Sequence, residues 1–359
     1  MKILYKGNMF NPTGIATVNR EIAKELIKMG HEVQSTDPWQ SQWEFNEGLE
    51  HLNNSIDVSG EDVVTIYGDY PDNWQQGYGK CYGHFVHEGT RLHPGWSELL
   101  NRTVEKIWVP SEATKSLFKW NGVLKPIEVI PHGTNPEIYK PMDLEKKDNF
   151  TFLSLNSWSG KIGDRKGTDI LIKAFDEEFK DEDVILMLKI STFFQGGIDY
   201  LATIENLLGH FNKKIKISCE YMEEERLAYL YNMADCFVSP TRGESFGLTI
   251  LNAKACGLPT IVTKDINSGH MDFCKDDSTL FIDAPEMEQG DRRYFCAGNM
   301  QAVPDVKSLR KQLRYAYEHK DDMLAKAKKN SEHIRKEYTW SNTAKKVLNF
   351  IGDTNEEKA

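Results

Sequence analysis

Three groups of residues in this chain have the types and spacing to do chemistry. The first is Glu244 in the stretch 239–262, S-P-T-R-G-E-S-F-G-L-T-I-L-N-A-K-A-C-G-L-P-T-I-V. Glu244 stands at the mouth of a helix that opens near Gly247. The first N–H groups of a helix lack internal partners, and its dipole makes that end positive, so an anion such as a phosphate fits there. Gly247 lacks a Cβ, which lets a ligand approach the backbone closely. The Glu244 carboxylate accepts hydrogen bonds from hydroxyls. Asn252 lies one to two turns further in, on roughly the face of Ser245, within reach of a more distant hydroxyl. A phosphate flanked by hydroxyls on both sides describes a nucleotide sugar. The same residues would also serve an ordinary helix cap and α/β turn. The second group is Arg165-Lys166-Gly167, where an ammonium can be aimed at a phosphate beside a flexible backbone. The third is His87-Glu88-Gly89, polar groups that follow an apolar run.

The elements that must position these groups are legible around them. Cys236-Phe237-Val238 reads as a short buried strand, and Pro240 and Gly243 then break the backbone. Phe246, Leu248, Leu251 and Ala255 recur at helical spacing. Gly257 and Pro259 stop that helix before the strand Thr260-Ile261-Val262. Phe152 to Leu155 is a strand, followed by a loop through Arg165 and a helix carrying Ile170, Leu171, Ala174 and Phe175. Cys81 to Val86 is a strand that ends at His87. Polar groups just past the carboxyl end of a parallel strand sit where such sheets bind ligands. Lys2 to Lys6 is the first strand. A glycine-containing loop to Gly14 and a helix from about Ile15 follow it. No G-x-G-x-x-G is present, so a dinucleotide fingerprint is not supported.

The stretch around Glu244 resembles the signature of family-four retaining glycosyltransferases of the GT-B fold. That signature is an acid, Gly/Ser-Phe-Gly-Leu, a second acid eight positions after the first, then Ala-x-Ala-Cys-Gly-x-Pro. Here it reads Glu244-Ser245-Phe246-Gly247-Leu248, then Asn252-Ala253-Lys254-Ala255-Cys256-Gly257-Leu258-Pro259. Asn252 departs from the family's usual Glu, which holds the ribose; an amide can still do so. Arg165-Lys166-Gly167 matches the family's Arg-Lys-Gly. A further arginine of the family falls at Ser157, so that cation is missing or is supplied by Lys161 or Arg165. The resemblance implies donor contacts at Gly14, Arg165, Ser157, Ser245, Phe246, Gly247, Leu248, Thr249 and Asn252. It implies base contacts through backbone and apolar surface at Tyr221 and Met222. His87 would touch the donor sugar, with Glu88 joining it or pairing with Arg91. Pro131 to Asn135 and Tyr139-Lys140-Pro141 look like the family's end of the first domain. The likeness runs from Gly14 to Trp340.

The resemblance implies an α/β chain of the GT-B fold, two Rossmann-like domains facing across a cleft with a C-terminal helix crossing back. The expected division is 1–143, an acceptor-side domain; 144–337, a nucleotide-sugar domain; and 338–359, the returning helix and a polar tail. The implied reaction moves a hexose, mannose or glucose, from a GDP- or UDP-linked donor to a hydroxyl acceptor with retention. Glu244, Lys166 and His87 would be its catalytic residues, and no metal or cofactor would be needed. The alternatives are a nucleotide-sugar epimerase on the same fold and a non-catalytic nucleotide-sugar-binding module.

Composition narrows the field further. The chain has 359 residues, 40 % hydrophobic and 27 % charged, as soluble two-domain proteins do. Its net charge of −10 argues against nucleic acid as the main partner. Cys81, Cys219, Cys236, Cys256, Cys274 and Cys296 show no metal-type or disulfide-framework spacing, which fits a reducing compartment. The N-terminus enters a strand at once and no long apolar run occurs. The chain therefore reads as cytoplasmic, with peripheral membrane contact left open. Residues 37–54 are polar with Trp39 and Trp43, and aromatics in such a loop stack on sugars or staple it locally. The loop Asn267 to Phe273 is expected to border the acceptor, and the tail after Gly352 to be disordered.

Overall fold

The computed structural model describes residues 1–36, 52, 56–57, 63–74, 77–145, 148–193, 196–290 and 296–352. Trp39 and Trp43, and the polar tail beyond Gly352, lie outside the described residues. The chain forms two compact units. The first comprises Met1–His87, Arg91–Gly133 and Tyr338–Ala359; the second comprises Glu88–Thr90 and Thr134–Glu337. The division falls at Gly133, earlier than the position near residue 143 read from the charged, proline-containing segment.

In the first unit, β1 (Lys2–Lys6), β2 (Glu32–Thr36), β3 (Val63–Tyr67), β4 (Lys80–His84), β5 (Lys106–Val109) and β6 (Ile127–Val129) make one sheet. Its order is β2-β1-β3-β4-β5-β6, with every described pairing parallel. The order reverses direction between β1 and β3, and α1 (Gly14–Lys28) starts there behind the N-cap Thr13. β3 reads VVTIY with all five residues buried, as a strand covered on both faces must. The helices α2 (Trp96–Thr103) and α3 (Glu112–Trp120) pack with Phe85, Ile107 and Phe118 in the core. Ser111 caps α3 by accepting a hydrogen bond from Thr114 N at 3.2 Å, as its place after Pro110 predicts.

The second unit contains β7 (Phe150–Asn156), α4 (Thr168–Glu178), β8 (Val184–Ile190), α5 (Tyr200–Leu208), β9 (Ile215–Ser218), α6 (Glu224–Met233), β10 (Cys236–Ser239), α7 (Leu248–Ala255), β11 (Thr260–Thr263) and β12 (Thr279–Ile282). The sheet order is β12-β11-β10-β7-β8-β9, again parallel throughout. Read from β7, this is the 3-2-1-4-5-6 order of a doubly wound sheet, and the direction reverses between β7 and β10. Parallel neighbours need crossovers, and α4 supplies one by turning Leu171, Ala174 and Phe175 onto the sheet. Phe150, Phe152, Phe175 and Phe179 pack tilted or edge-on in that layer with ring centroids 4.7 to 6.3 Å apart. Removing one such ring costs about 3–5 kcal/mol.

An antiparallel hairpin, β13 (Glu286–Gln289) with β14 (Met300–Val303), follows β12 and was not evident in the sequence. Then come α8 (Val306–Glu318) and α9 (Lys320–Glu337). The last helix, α10 (Trp340–Ile351), is capped by Thr339 and belongs to the first unit. Tyr82 donates from its hydroxyl to Ile351 O at 3.1 Å, and Thr343 Oγ1 donates to Pro131 O at 2.8 Å. Among the described residues no helix is long and apolar enough to cross a membrane.

Candidate functional site

The reversal point of the second sheet sends out two loops side by side. One leaves β7 and ends at α4; the other leaves β10 and ends at α7. In such sheets the crevice outside the carboxyl ends of these two strands is where ligands bind. Arg165 and Lys166 ride on the first loop, Glu244 and Gly247 on the second.

The first loop is tied by its own acid. Asp164 accepts hydrogen bonds from Ser159 Oγ, from Ser159 N at 3.1 Å and from Lys166 N at 3.0 Å. Trp158 is buried and donates from Nε1 to Lys161 O at 3.1 Å. Gly167 closes the loop with φ of +67°, and a Cβ there would lie 1.9 Å from Pro240 O. Only glycine permits that approach, so this residue holds the two loops together. Arg242 N donates to Arg165 O at 2.7 Å, and Thr241 Oγ1 donates to the same carbonyl at 3.2 Å.

Around Glu244 the charges meet. Lys166 Nζ pairs directly with Glu244 Oε1, and Arg165 Nη1 lies 3.4 Å from the same oxygen. Arg165 Nη1 also donates to Gly243 O at 2.8 Å. Glu244 is 8 % exposed. Burial pushes its carboxyl up, but the charges of Lys166 and Arg165 more than reverse this and hold it at about 2. Glu244 is thus an anion with two cations beside it.

The backbone of Glu244 is held from behind. Glu244 N donates to Ser268 Oγ at 3.2 Å, and Gly269 N donates to Glu244 O at 2.7 Å. Ser268 and His270 are buried. The segment 267–273, which the sequence led us to expect beside an acceptor, also braces the loop of Glu244. His270 donates from Nε2 to Thr263 O at 2.8 Å, and burial lowers its pKa, so its ring is neutral. Gly247, with φ of +98°, caps α7, and Ile250 N and Leu251 N both return to Gly247 O at 3.0 Å. The amides of Leu248 and Thr249 have no earlier carbonyl of the helix to bond, so they point ahead of it.

The remaining candidates divide. Ser245 and Phe246 are buried beside Glu244, and the Phe246 ring packs on Phe273 with centroids 5.1 Å apart. Thr249 O accepts from the Tyr231 hydroxyl at 3.0 Å. Asn252 Oδ1 accepts from Thr134 Oγ1 at 2.8 Å, and the amide's NH₂ is the group with which it can donate. Ser157 is half-buried just past β7. Tyr221 is exposed, with its hydroxyl 3.3 Å from Glu223 Oε2, and Met222 follows it beyond β9 at the edge of the sheet. Gly14 and His87 belong to the first unit. His87 is buried there, donates from Nε2 to Arg91 O at 2.8 Å and packs on Trp96 with centroids 5.6 Å apart.

Sequence reasoning missed Arg242. It is 4 % exposed and donates to Asp164 O at 2.6 Å, to both Asp169 oxygens at 3.1 and 3.3 Å, and to Glu288 at 2.8 Å. It also missed the position of Glu88, whose Oε1 lies 3.4 Å from Arg165 Nη1. Among the described residues no group of three or more His, Cys, Asp or Glu is disposed to hold a metal ion. The triplet Asp181-Glu182-Asp183 precedes β8, at the end of that strand remote from the cluster.

Comparison with known proteins places this geometry. Residues 143–293 match the family described as "Glycosyl transferases group 1". A probable sucrose-phosphate synthase of Thermosipho melanesiensis is 26 % identical over 236 residues, 64 % of this chain and 48 % of that protein. The lipopolysaccharide core biosynthesis mannosyltransferase LpsB of Rhizobium meliloti is 25 % identical over 193 residues, 50 % of this chain and 51 % of that protein. The chain thus spans about half the length of these relatives. Among solved structures, Anabaena Alr3699/HepE in complex with UDP-glucose superposes with a TM-score of 0.71 at 16 % identity, covering 98 % of this chain and 100 % of the other. That likeness shows the GT-B fold.

Proposed function

We propose that the chain is a group 1 glycosyl transferase, the family that residues 143–293 match, and that it transfers a hexose from a nucleoside-diphosphate sugar to a hydroxyl acceptor with retention of configuration. One observation carries this reading. Lys166, Arg165 and the N-terminus of α7 converge on Glu244 at the reversal point of a doubly wound sheet.

Departure of a nucleoside diphosphate builds negative charge on the leaving oxygens. Lys166 and Arg165 would meet that charge, together with the Leu248 and Thr249 amides. Groups fixed in place before the reaction are worth more than mobile water; one such donor contributes about 3–4 kcal/mol. When the phosphates draw the two cations away, the Glu244 carboxylate is released to accept hydrogen bonds from the sugar's hydroxyls. Its negative charge then offsets the positive charge that grows at the anomeric carbon. Retention follows if the acceptor attacks from the face the diphosphate leaves, with a phosphate oxygen taking the acceptor's proton. The two cations supply the positive charge a divalent ion would otherwise bring, so we read the reaction as metal-independent. The Asn252 NH₂ would donate to a ribose hydroxyl, and Tyr221 and Met222 would flank the base. Glucose and mannose are the sugars read for the donor, in keeping with the UDP-glucose complex and the mannosyltransferase named above.

The test is a panel of UDP- and GDP-linked glucose and mannose, incubated with and without simple glycoside acceptors, with and without EDTA. Release of nucleoside diphosphate that depends on the acceptor, persists in EDTA and gives a product whose anomeric coupling matches the donor's supports the reading. Isomerised donor with no acceptor present would instead identify an epimerase. Binding without turnover across acceptors would identify a binding module.

A further inference from the structure

Glu88 stands far from Arg165 in sequence, yet its carboxylate lies 3.4 Å from the Arg165 guanidinium, and its side chain is 17 % exposed. The reason is the hairpin β13–β14. Thr90 N donates to Asn299 Oδ1 at 2.8 Å, and Met300 N donates to Thr90 Oγ1 at 2.9 Å, so the segment Glu88–Thr90 is tied through Thr90 by two bonds to the base of β14. Asn299 is fully buried. The hairpin is itself pinned to the site. Glu288 faces Gln301 across it and takes Arg242 Nε at 2.8 Å, and Ala302 N donates to Arg242 O at 2.9 Å. Arg242 in turn holds the backbone of Asp164 and Arg165. The hairpin, the Glu88 segment and the Arg165 loop thus form one closed network.

At its centre a single nitrogen, Arg165 Nη1, serves two carboxylates, Glu88 and Glu244, each at 3.4 Å. Glu88, Glu244, Arg165 and Lys166 together carry no net formal charge. A diphosphate arriving here competes with both acids for Arg165. We propose that Glu88 is a positioning residue that moderates the grip of Arg165 on the diphosphate, so that the spent nucleotide can leave. This rests on the donor-site reading given above. Glu244 is needed by the sugar and cannot serve as a permanent counter-ion; Glu88 can. Without it Arg165 would turn wholly to the phosphates, and donor and product would both bind more tightly.

The experiment is calorimetric titration of the wild-type protein, Glu88→Gln, Arg165→Gln and the double variant with UDP and with GDP, alongside steady-state kinetics. Glu88→Gln is expected to tighten binding of the accepted diphosphate by roughly 3- to 10-fold, the size of one partly buried charge pair. Its donor KM and its kcat should fall together, because product release slows. In the Arg165→Gln background the same change should do nothing. A merely structural Glu88 would lower the unfolding temperature and raise KM instead. Thr90→Val, which loosens the segment without removing a charge, should shift affinity the same way and serves if Glu88→Gln does not fold. Unchanged or weakened binding in both variants overturns the proposal, as does tightening that survives without Arg165. If the wild-type protein binds neither UDP nor GDP, the donor-site reading falls and takes this proposal with it. If it binds one and Glu88→Gln binds it equally well, only the role of Glu88 is lost.

Discussion

Replacing Lys166 with methionine should cost stability and activity in a way that depends on pH. Lys166 Nζ pairs with the buried Glu244 carboxylate, and Arg165 is the second cation at 3.4 Å. Burial alone would raise the carboxyl above its ordinary 4.5, yet the two cations hold it at about 2. That difference, about 2.5 pKa units, corresponds to about 3 kcal/mol between the protonation states. A depressed carboxylate contributes stability that is fully present above 4.5 and is lost as pH falls from 4.5 towards 2. Lys166→Met leaves a buried carboxylate with its weaker partner, and breaking such a pair costs about 3 kcal/mol or more at pH 7. The carboxyl of the variant then titrates at higher pH, so the deficit should shrink by about 1.4 kcal/mol per unit as the solution is acidified below that pKa. Urea unfolding at pH 7, 6, 5 and 4 reads this directly. Glu244→Gln in the Lys166→Met background should restore most of the loss, because the buried carboxylate is gone and Arg165 keeps Glu88 as its partner. Transfer should fall by about 100-fold or more in Lys166→Met, as for loss of one fixed donor to developing charge. A deficit of equal size at every pH, or single-variant costs that simply add in the double variant, would show that packing and not charge holds this corner together.

Other consequences follow from neighbouring contacts. Gly167→Ala must move the backbone, since its Cβ would sit 1.9 Å from Pro240 O at a φ of +67°. We expect a loss of roughly 2–4 kcal/mol in urea unfolding and no measurable diphosphate binding. Lys254 is 2 % exposed, with Nζ 2.7 Å from Asp276 Oδ2 and 2.9 Å from Thr279 Oγ1. Asp276→Asn strands that ammonium and should cost about 3 kcal/mol at pH 7 by the same measurement. Burial raises the Asp276 carboxyl and Lys254 outweighs it, so the net shift is downward. The contribution of that pair is present above pH 3.8 and disappears below it. Among the cysteines, Cys219 is exposed, whereas Cys236, Cys256 and Cys274 are buried, and burial pushes the Cys256 and Cys274 thiols up to about 12. Iodoacetamide with peptide mapping should label Cys219 first and reach the three buried residues only in denaturant.

Much of the second unit was legible because each signal was local. Phe246, Leu248, Leu251 and Ala255 marked α7, and the run before Pro240 marked β10. Glu244 and Lys166 were singled out from their neighbours in sequence, and they meet in space. What escaped was set by pairing across distance. Arg242 finds Asp169 across α4, a partner no periodicity announces. Glu88 was read as joining His87 or pairing with Arg91, and its approach to Arg165, 77 residues away, was not announced by any local signal. The hairpin β13–β14 was invisible because Glu286-Met287-Glu288-Gln289 has no alternating apolar face; its inward side is polar and is satisfied by Arg242. The bracing of Glu244 N by Ser268 was likewise not legible, because the two stand 24 residues apart in the chain.

A crystal of the protein soaked with UDP or GDP examines the donor pocket itself. The distal phosphate is expected within hydrogen-bonding distance of the Leu248 and Thr249 amides, with Lys166 and Arg165 turned from Glu244 onto its oxygens. A diphosphate bound elsewhere, or density at this place with both cations still on Glu244, contradicts the assignment of these residues to a nucleotide-sugar site.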